Sequence, residues 1–138
     1  MAYDPDNIFA RILRGEISCH RVYEDADTIA FMDIMPQAEG HTLVVPKTAG
    51  EDIYGTSPES LAAAIRTAQT VARAVQKAFA PPGIMIAQLN GAAAGQSVFH
   101  LHIHVIPRYA GKDLGIHAAK QADPAVLAEH AARIRAAL

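Results

Sequence analysis

Three histidines, His100, His102 and His104, stand two residues apart in the C-terminal third of the chain and alternate with apolar residues. A period of two predicts a β-strand, here over Val98 to Arg108, with the imidazoles on one face and the apolar side chains on the other. Next-but-one residues on a strand lie about 6.5 to 7 Å apart, which places the first and third histidines roughly 13 Å apart along the backbone. One face is therefore expected to pack and the other to do chemistry.

Two kinds of chemistry fit this row of histidines. A zinc ion needs ligand nitrogens at about 2.0 to 2.1 Å, so an undistorted strand supplies two neighbouring ligands, and His41 is the candidate for a third. Without a metal, one imidazole attacks a substrate while the others orient it, fix its tautomer or hold a charged group. The spacing alone leaves both readings open.

The segment before the histidines favours an anionic ligand. Gly91 and Gly95 permit positive φ angles and a close approach of backbone to ligand, and Gln96 and Ser97 add an amide and a hydroxyl. A phosphate group fits such a segment. The segment lacks the Gly-Lys-Ser/Thr ending of a P-loop, so a plain turn is the alternative.

Length and composition limit the remaining possibilities. The 138 residues, 51% of them hydrophobic and 19% charged, predict one domain over 1–138. A net charge of -2 offers no basic face for a nucleic acid polymer. Cys19 is the single cysteine, so no intrachain disulfide forms, and no apolar run is long enough to cross a bilayer. We expect a cytoplasmic protein without membrane partners.

The elements that position the histidines follow from local patterns. Asp6 is predicted to cap a short helix that contains Ile8, Phe9, Ile12 and Leu13 and stops near Gly15. Residues 21–24 and 28–32 are predicted to form a hairpin, and 42–45 a strand that is buried on both faces.

The second half of the chain is predicted to contain one long helix and two further strands. Ser57 and Pro58 begin the helix. Residues 84–90 read as a strand, and 123–138 as a C-terminal helical tail. Short connections favour an α+β fold: an antiparallel sheet of about five strands, one long helix and short flanking helices. The apolar stripe of the long helix is predicted to comprise Leu61, Ile65, Ala68, Ala72, Val75 and Phe79.

Taken in order, these segments resemble the histidine triad (HIT) superfamily, in its bacterial Hint-like branch of nucleotide hydrolases. The resemblance is strongest over residues 8–108, and it extends well beyond the histidines. The motifs that carry it are Ile8-Phe9, Gly15-Glu16-Ile17, Val22-Tyr23-Glu24-Asp25, Phe31-x-Asp33-Ile34-x-Pro36, Gly40-His41-x-Leu43-Val44-Val45-Pro46-Lys47, Leu89-Asn90-Gly91, Ala94-Gly95-Gln96-Ser97-Val98 and His100-x-His102-x-His104-x-Ile106-Pro107-Arg108.

The resemblance implies a HIT-like fold, a homodimer with a sheet continuous across the interface, and a purine nucleotide substrate joined to its leaving group through the α-phosphate. His102 would be the nucleophile that forms a nucleotidyl-histidine, and His41, His100 and His104 would polarise it and contact phosphate. The implied nucleotide contacts are Asp33 on the ribose, Asn90, Gln96 and Ser97 on the phosphate and leaving group, and Ile8, Phe9, Phe31 and Ile34 around the base.

Ordinary structural roles remain alternatives for several of these residues. Asp33 could be a turn-forming acid before Pro36, and the four apolar residues around the base could simply pack in a core. Three positions depart from bacterial relatives that carry a structural zinc: Asn7, Ala10 and Ala49 stand where those relatives have two cysteines and a histidine. We therefore expect neither a bound metal nor another cofactor.

The sequence leaves four functions in a ranked order. The first is a hydrolase of purine nucleoside phosphoramidates or related nucleoside monophosphate conjugates. The others are a dinucleoside polyphosphate hydrolase, a nucleotide-binding regulatory protein with incidental catalysis, and a zinc-dependent hydrolase that uses His41.

Overall fold

A five-stranded antiparallel sheet organises the chain in this computed structural model, which describes residues 2–112 and 121–138. In chain order, the helices and strands are α1 (Ile8–Leu13), β1 (Arg21–Glu24), β2 (Thr28–Met32), β3 (Thr42–Pro46), α2 (Pro58–Phe79), β4 (Gly83–Ala87), β5 (Ile103–Arg108) and α3 (Pro124–Ala137), with a short 3-10 helix at Ala92–Ala94 between β4 and β5. The strand order is β1-β2-β3-β5-β4, and every neighbouring pair is antiparallel. The predicted α+β fold with about five strands is confirmed.

The helices begin where capping residues satisfy their first N–H groups. Ser57 accepts a hydrogen bond from the Ser60 N–H, and Pro58 occupies the first turn of α2, as the sequence predicts. At α1, however, the cap is Asn7, whose side chain accepts from the Ala10 N–H, so the prediction of Asp6 is wrong by one position. Gly15 follows this helix at φ 78°, a left-handed conformation that glycine adopts without strain.

The two faces of the sheet are covered differently. Helices α2 and α3 pack on one face against a core that includes Val44, Ile103 and Val105. On the other face, the shorter α1 packs over a smaller cluster built from Phe9, Phe31 and Val45 among others. Because α1 has only six residues, it covers only the part of that face formed by β2 and β3. The side formed by β5 and β4 is left available for a site.

Two predicted elements differ from the structure in phase or extent. Ile65, assigned to the packed stripe of α2, is 52% exposed, whereas Ala64, Ala68, Val71 and Val75 are buried. The face of α2 that packs on the sheet is thus formed by small residues. It is rotated away from the face that carries Ile65. The strand predicted over 84–90 ends at Ala87, because the chain turns away before the 3-10 helix.

The histidine strand is also shorter than its alternating pattern suggests. Ladder pairing begins at Ile103, and residues 98–102 lie outside any strand. The N–H of Leu101 is instead bonded to the Gly50 carbonyl, in the loop beyond β3. In the described ranges, no helix is sufficiently long and apolar to span a membrane.

Candidate active site

A cavity of about 370 Å³ opens on the face of the sheet that α1 covers only in part. Across its floor, strand register places Phe31, Leu43, His104 and Ala87 in one row, and Ile106 beside Met85 in the next. All of these side chains line the cavity. The histidines therefore stand between an aromatic side near α1 and an apolar side at β4.

His102 is held with one ring nitrogen occupied and the other free. Its Nδ1 lies 2.7 Å from the carbonyl oxygen of His100, and because a carbonyl only accepts, Nδ1 carries the proton. The neutral ring then has a lone pair on Nε2. Burial lowers the pKa of His102 to about 4, and neighbouring His104 adds to the shift, although the His100 carbonyl opposes it. The ring is neutral at pH 7 and available as a nucleophile.

His41 and His104 form a chain of hydrogen bonds with a defined direction. The Gln37 N–H donates to His41 Nδ1 over 3.0 Å, so the proton of this neutral ring is on Nε2. That Nε2–H donates to His104 Nδ1 over 3.0 Å, which leaves the His104 proton on its own Nε2. Burial lowers the pKa of His41 to about 3 and also lowers that of His104. His104 therefore offers an N–H donor beside the free lone pair of His102. The centroids of the two rings are 4.9 Å apart.

His100 does not join the other histidines in the cavity, which corrects the expectation of three rings on one face. Its side chain is 1% exposed and points into the protein, where Nε2 lies 2.8 Å from the Pro46 carbonyl and Nδ1 lies 2.6 Å from the Tyr3 hydroxyl. Residue 100 precedes the ladder, so strand alternation does not fix its direction, and the bonds of its ring to Pro46 and Tyr3 turn it into the interior. His41, which immediately precedes β3, lies beside His104 instead.

Asp33 lies at the edge of the cavity, next to His41. One carboxylate oxygen accepts from the Met35 N–H over 2.8 Å, as in a turn, while the other lies 3.5 Å from His41 Nε2. Because His41 is neutral at pH 7, this contact is not an ion pair. Burial raises the pKa of Asp33 above its usual range. The second oxygen is thus available to a ligand hydroxyl.

The ligand atoms of Asp33, His41 and His104 lie within 4.8 Å of one another, close enough to consider a metal ion. The hydrogen-bond pattern does not fit one. A metal at His41 Nε2 needs a lone pair on that atom, so the proton of the ring would have to move to Nδ1. The Nδ1–H would then face the Gln37 N–H, two donors with no acceptor between them. With these tautomers, His41 and His104 act as hydrogen-bonding groups and not as metal ligands.

Aromatic rings flank His102 on the α1 side. The Phe9 ring meets His102 edge-on at a centroid distance of 4.8 Å and meets Phe31 at 5.4 Å. Ile8 and Ile34 also line the cavity and are 41% and 44% exposed, so they form its rim. These four residues surround an apolar space beside the histidines. Phe9 and Phe31 also pack in the core, which is the structural role that the sequence left open for them; their contact with a base stays a prediction.

The Gly-rich turn has the predicted backbone, but two of its side chains have other partners. Gly91 and Gly95 adopt φ angles of 91° and 103°. Gln96 is buried; its amide accepts from the Gly91 N–H and donates to the Glu51 and Val98 carbonyls. Asn90 accepts from the Ile53 N–H.

Neither Asn90 nor Gln96 lines the cavity, whereas Ser97 does. The side-chain amide of Gln96 is fully engaged within the chain and so shapes the turn; its contact with phosphate stays a prediction. The amide of Asn90 also pairs with that of Gln88, and its contact with a phosphate or leaving group likewise stays a prediction.

Several residues that line or support the site are not among those predicted from the sequence. The apolar side at β4, formed by Met85, Ala87 and Leu89, could have been found from the period-two pattern of that strand. Gln37 contributes only its backbone N–H, and Tyr3 reaches His100 across 97 positions of sequence, so no local pattern reveals either.

Comparisons with known proteins agree with this geometry. A model of the HIT domain matches residues 14–111. The crystal structure of a Hit-like protein involved in cell-cycle regulation from Bartonella henselae superposes with a TM-score of 0.93 at 50% identity, covering 99% of this chain and 100% of that one. Protein hit of Bacillus subtilis is 43% identical over 77% of this chain and 73% of its own length. Adenylylsulfatase HINT3 of Arabidopsis thaliana is 38% identical over 75% of this chain and 52% of its own length.

Proposed function

The chain belongs to the histidine triad (HIT) domain family, and on that premise we propose that it is a nucleotidyl hydrolase that cleaves purine nucleoside phosphoramidates, or related nucleoside monophosphate conjugates, at the α-phosphate. The observation that carries the proposal is the pairing of a neutral His102, with its Nε2 lone pair free, and an N–H donor on His104 inside one cavity. An attacking atom and a charge-stabilising donor are the two groups that displacement at phosphorus needs.

The reaction is proposed to proceed in two displacements. His102 Nε2 attacks the α-phosphorus; a P–N bond forms, and the bond to the leaving group breaks with its electron pair, the leaving group taking a proton from water. Water then attacks the nucleotidyl-histidine, releases the nucleoside monophosphate and restores the neutral ring. The His104 N–H is proposed to bond a phosphoryl oxygen through both steps, which stabilises the charge that develops there.

The nucleoside is proposed to occupy the aromatic side of the cavity. The base would lie among Ile8, Phe9, Phe31 and Ile34, and the free carboxylate oxygen of Asp33 would accept from a ribose hydroxyl. The hydroxyl of Ser97 would contact the phosphate. His41, which donates to His104, would fix the tautomer of that residue and so keep its donor directed at the substrate.

Leaving groups of low charge fit the opposite side better than a polyphosphate chain. There the cavity is lined by Met85, Ala87, Leu89 and Ile106, and among its lining residues in the described part of the chain none is lysine or arginine. A dinucleoside polyphosphate would bring several negative charges to that apolar side without a cation to meet them. The phosphoramidate reading is favoured for that reason, and the adenylylsulfatase name of one relative makes adenylyl sulfate a further substrate to assay.

We further propose that the protein is a cytoplasmic homodimer. Strand β4 is an edge of the sheet, Ile86 on that strand is 44% exposed, and Ile65 of α2 is 52% exposed. An open edge with apolar neighbours is typical of a surface that pairs with a second copy. Sedimentation of wild-type protein and an Ile86→Lys variant tests this part.

Replacement of His102 tests the catalytic proposal. The His102→Asn variant should lose release of AMP and GMP from nucleoside phosphoramidates, while His20→Asn, which removes a half-buried histidine outside the cavity, should keep it. Both variants are compared by circular dichroism, so that a folding defect is separated from a catalytic one. Equal turnover by His102→Asn and wild-type protein would refute the assignment.

A further inference from the structure

His100 is a buried histidine with both ring nitrogens engaged, yet it is not among the residues that line the cavity. Nε2 lies 2.8 Å from the Pro46 carbonyl, which can only accept, so Nε2 carries the proton. In the neutral ring Nδ1 is then an acceptor, and the Tyr3 hydroxyl, 2.6 Å away, is its donor. Burial lowers the pKa of His100, which keeps the ring neutral at pH 7.

The backbone of this same residue sets the tautomer of His102. The His100 carbonyl oxygen accepts the His102 Nδ1–H over 2.7 Å, and this bond leaves the lone pair of His102 on Nε2. Residues 98–102 belong to no strand, so the ladder does not hold that carbonyl in place. Three hydrogen bonds restrain the His100 carbonyl instead. The Leu101 N–H donates to the Gly50 carbonyl, and the His100 ring bonds to Tyr3 and to Pro46.

We propose that Tyr3 is a positioning residue for the nucleophile: by donating to His100 Nδ1 it locks the His100 ring onto Pro46 and thereby holds the carbonyl that orients His102. This inference rests on the proposed function. The Tyr3 ring also packs edge-on against His100, with centroids 5.6 Å apart, so the contact combines a hydrogen bond with ring packing.

Loss of the Tyr3 hydroxyl would leave His100 Nδ1 as a buried acceptor without a partner. The ring can then relieve the loss by moving its proton to Nδ1, but it would give up the bond to Pro46. Either response loosens residue 100, and His102 would populate the tautomer with its proton on Nε2, which cannot attack. The effect should fall on the chemical step, because Tyr3 lies outside the cavity lining.

The Tyr3→Phe variant tests the proposal, with Tyr54→Phe as the matched control because Tyr54 is 86% exposed. For an adenosine phosphoramidate, Tyr3→Phe should lower kcat by about 3- to 10-fold and leave KM within about 2-fold, since one hydrogen bond that supports only the reacting geometry is lost. Nitrogen NMR of the histidine rings should show His102 protonated at Nδ1 in wild-type protein and a mixture of tautomers in Tyr3→Phe. Tyr54→Phe should match wild type in both measurements.

A second variant keeps the test sharp if Tyr3→Phe folds poorly. In His100→Gln, the amide can still donate to Pro46 but offers no acceptor at the Nδ1 position, so it should reproduce the loss in kcat. The Tyr3→Phe/His100→Gln double variant should then be no worse than His100→Gln alone. Additive losses, or an unchanged kcat and an unchanged His102 tautomer in Tyr3→Phe, would overturn the positioning role.

The two proposals fail in distinguishable ways. If wild-type protein releases no nucleoside monophosphate, the proposed function is wrong, while the ring NMR still reports whether Tyr3 controls the His102 tautomer. If wild type is active and Tyr3→Phe is equally active, only the positioning role is wrong.

Discussion

The burial of His102 makes a quantitative prediction about the pH dependence of catalysis. With a pKa of about 4, the ring is about 97% neutral at pH 5.5, whereas an ordinary imidazole with a pKa near 6.5 would be about 10% neutral. If the neutral ring is the nucleophile, kcat/KM should change by less than about 1.3-fold between pH 7.5 and pH 5.5. A solvent-exposed nucleophile would lose about tenfold over the same interval.

Removing the apolar side chain that covers the His102 ring should raise the pH below which kcat/KM falls. Phe9 meets His102 edge-on at 4.8 Å, so Phe9→Ala admits water and should raise the His102 pKa from about 4 toward 6.5. The loss in kcat/KM at pH 5.5 relative to pH 7.5 should then approach tenfold. Phe9→Leu, which keeps an apolar cover, should retain a flat profile.

The assay is AMP release from an adenosine phosphoramidate at subsaturating concentration, with an enzyme-free blank at each pH and circular dichroism to confirm that the protein stays folded. An acid limb near pH 6.5 in wild-type protein, or identical profiles for Phe9→Ala and Phe9→Leu, would show that burial does not govern the nucleophile.

Three further predictions concern the sugar, the fold and acid stability. Asp33→Asn should raise KM for a ribonucleoside substrate several-fold and should affect the 2′-deoxy analogue less, because the lost acceptor faces a ribose hydroxyl; equal effects on both would contradict the ribose assignment. Gly40→Ala should lower the free energy of unfolding by about 1 to 3 kcal/mol, since φ is 88° and the new Cβ would lie 3.0 Å from the Phe79 ring; Gly15→Ala, at φ 78° with open space, should cost less in the same urea titration. The folded-state pKa values of about 3 for His41 and about 4 for His102 lie below the unfolded value of 6.5, so stability is full above pH 6.5 and is lost as the pH falls. Urea titrations should show about 3 to 4 kcal/mol less stability at pH 5 than at pH 7 for two such groups, and a pH-independent midpoint would show that these rings are not buried as neutral groups.

The architecture was predictable because its signals are local. The Ser57-Pro58 start of α2 and the hairpin of β1 and β2 follow from capping and turn residues near each element. The alternation around the histidines correctly places Ile103 and Val105 in the core beneath α2. Each of these features depends on neighbours within a few positions of the chain.

The site was less predictable where long-range partners decide a side chain's direction. His100 fits the alternating pattern, but bonds to Pro46 and Tyr3 turn it into the interior. Gln96 is similarly drawn to the Glu51 carbonyl, 45 positions away, instead of toward the cavity. The phase of α2 was wrong at Ile65 because small residues such as Ala64 permit closer packing on the sheet than large ones do.

Identification of a covalent intermediate tests the central claim most directly. Wild-type protein mixed with an adenosine phosphoramidate, quenched within a turnover and mapped by peptide mass spectrometry should carry one adenylyl group, located on His102. An adenylyl group on another residue, or turnover with no adduct detectable at any quench time, would contradict the assignment of His102 Nε2 as the attacking atom.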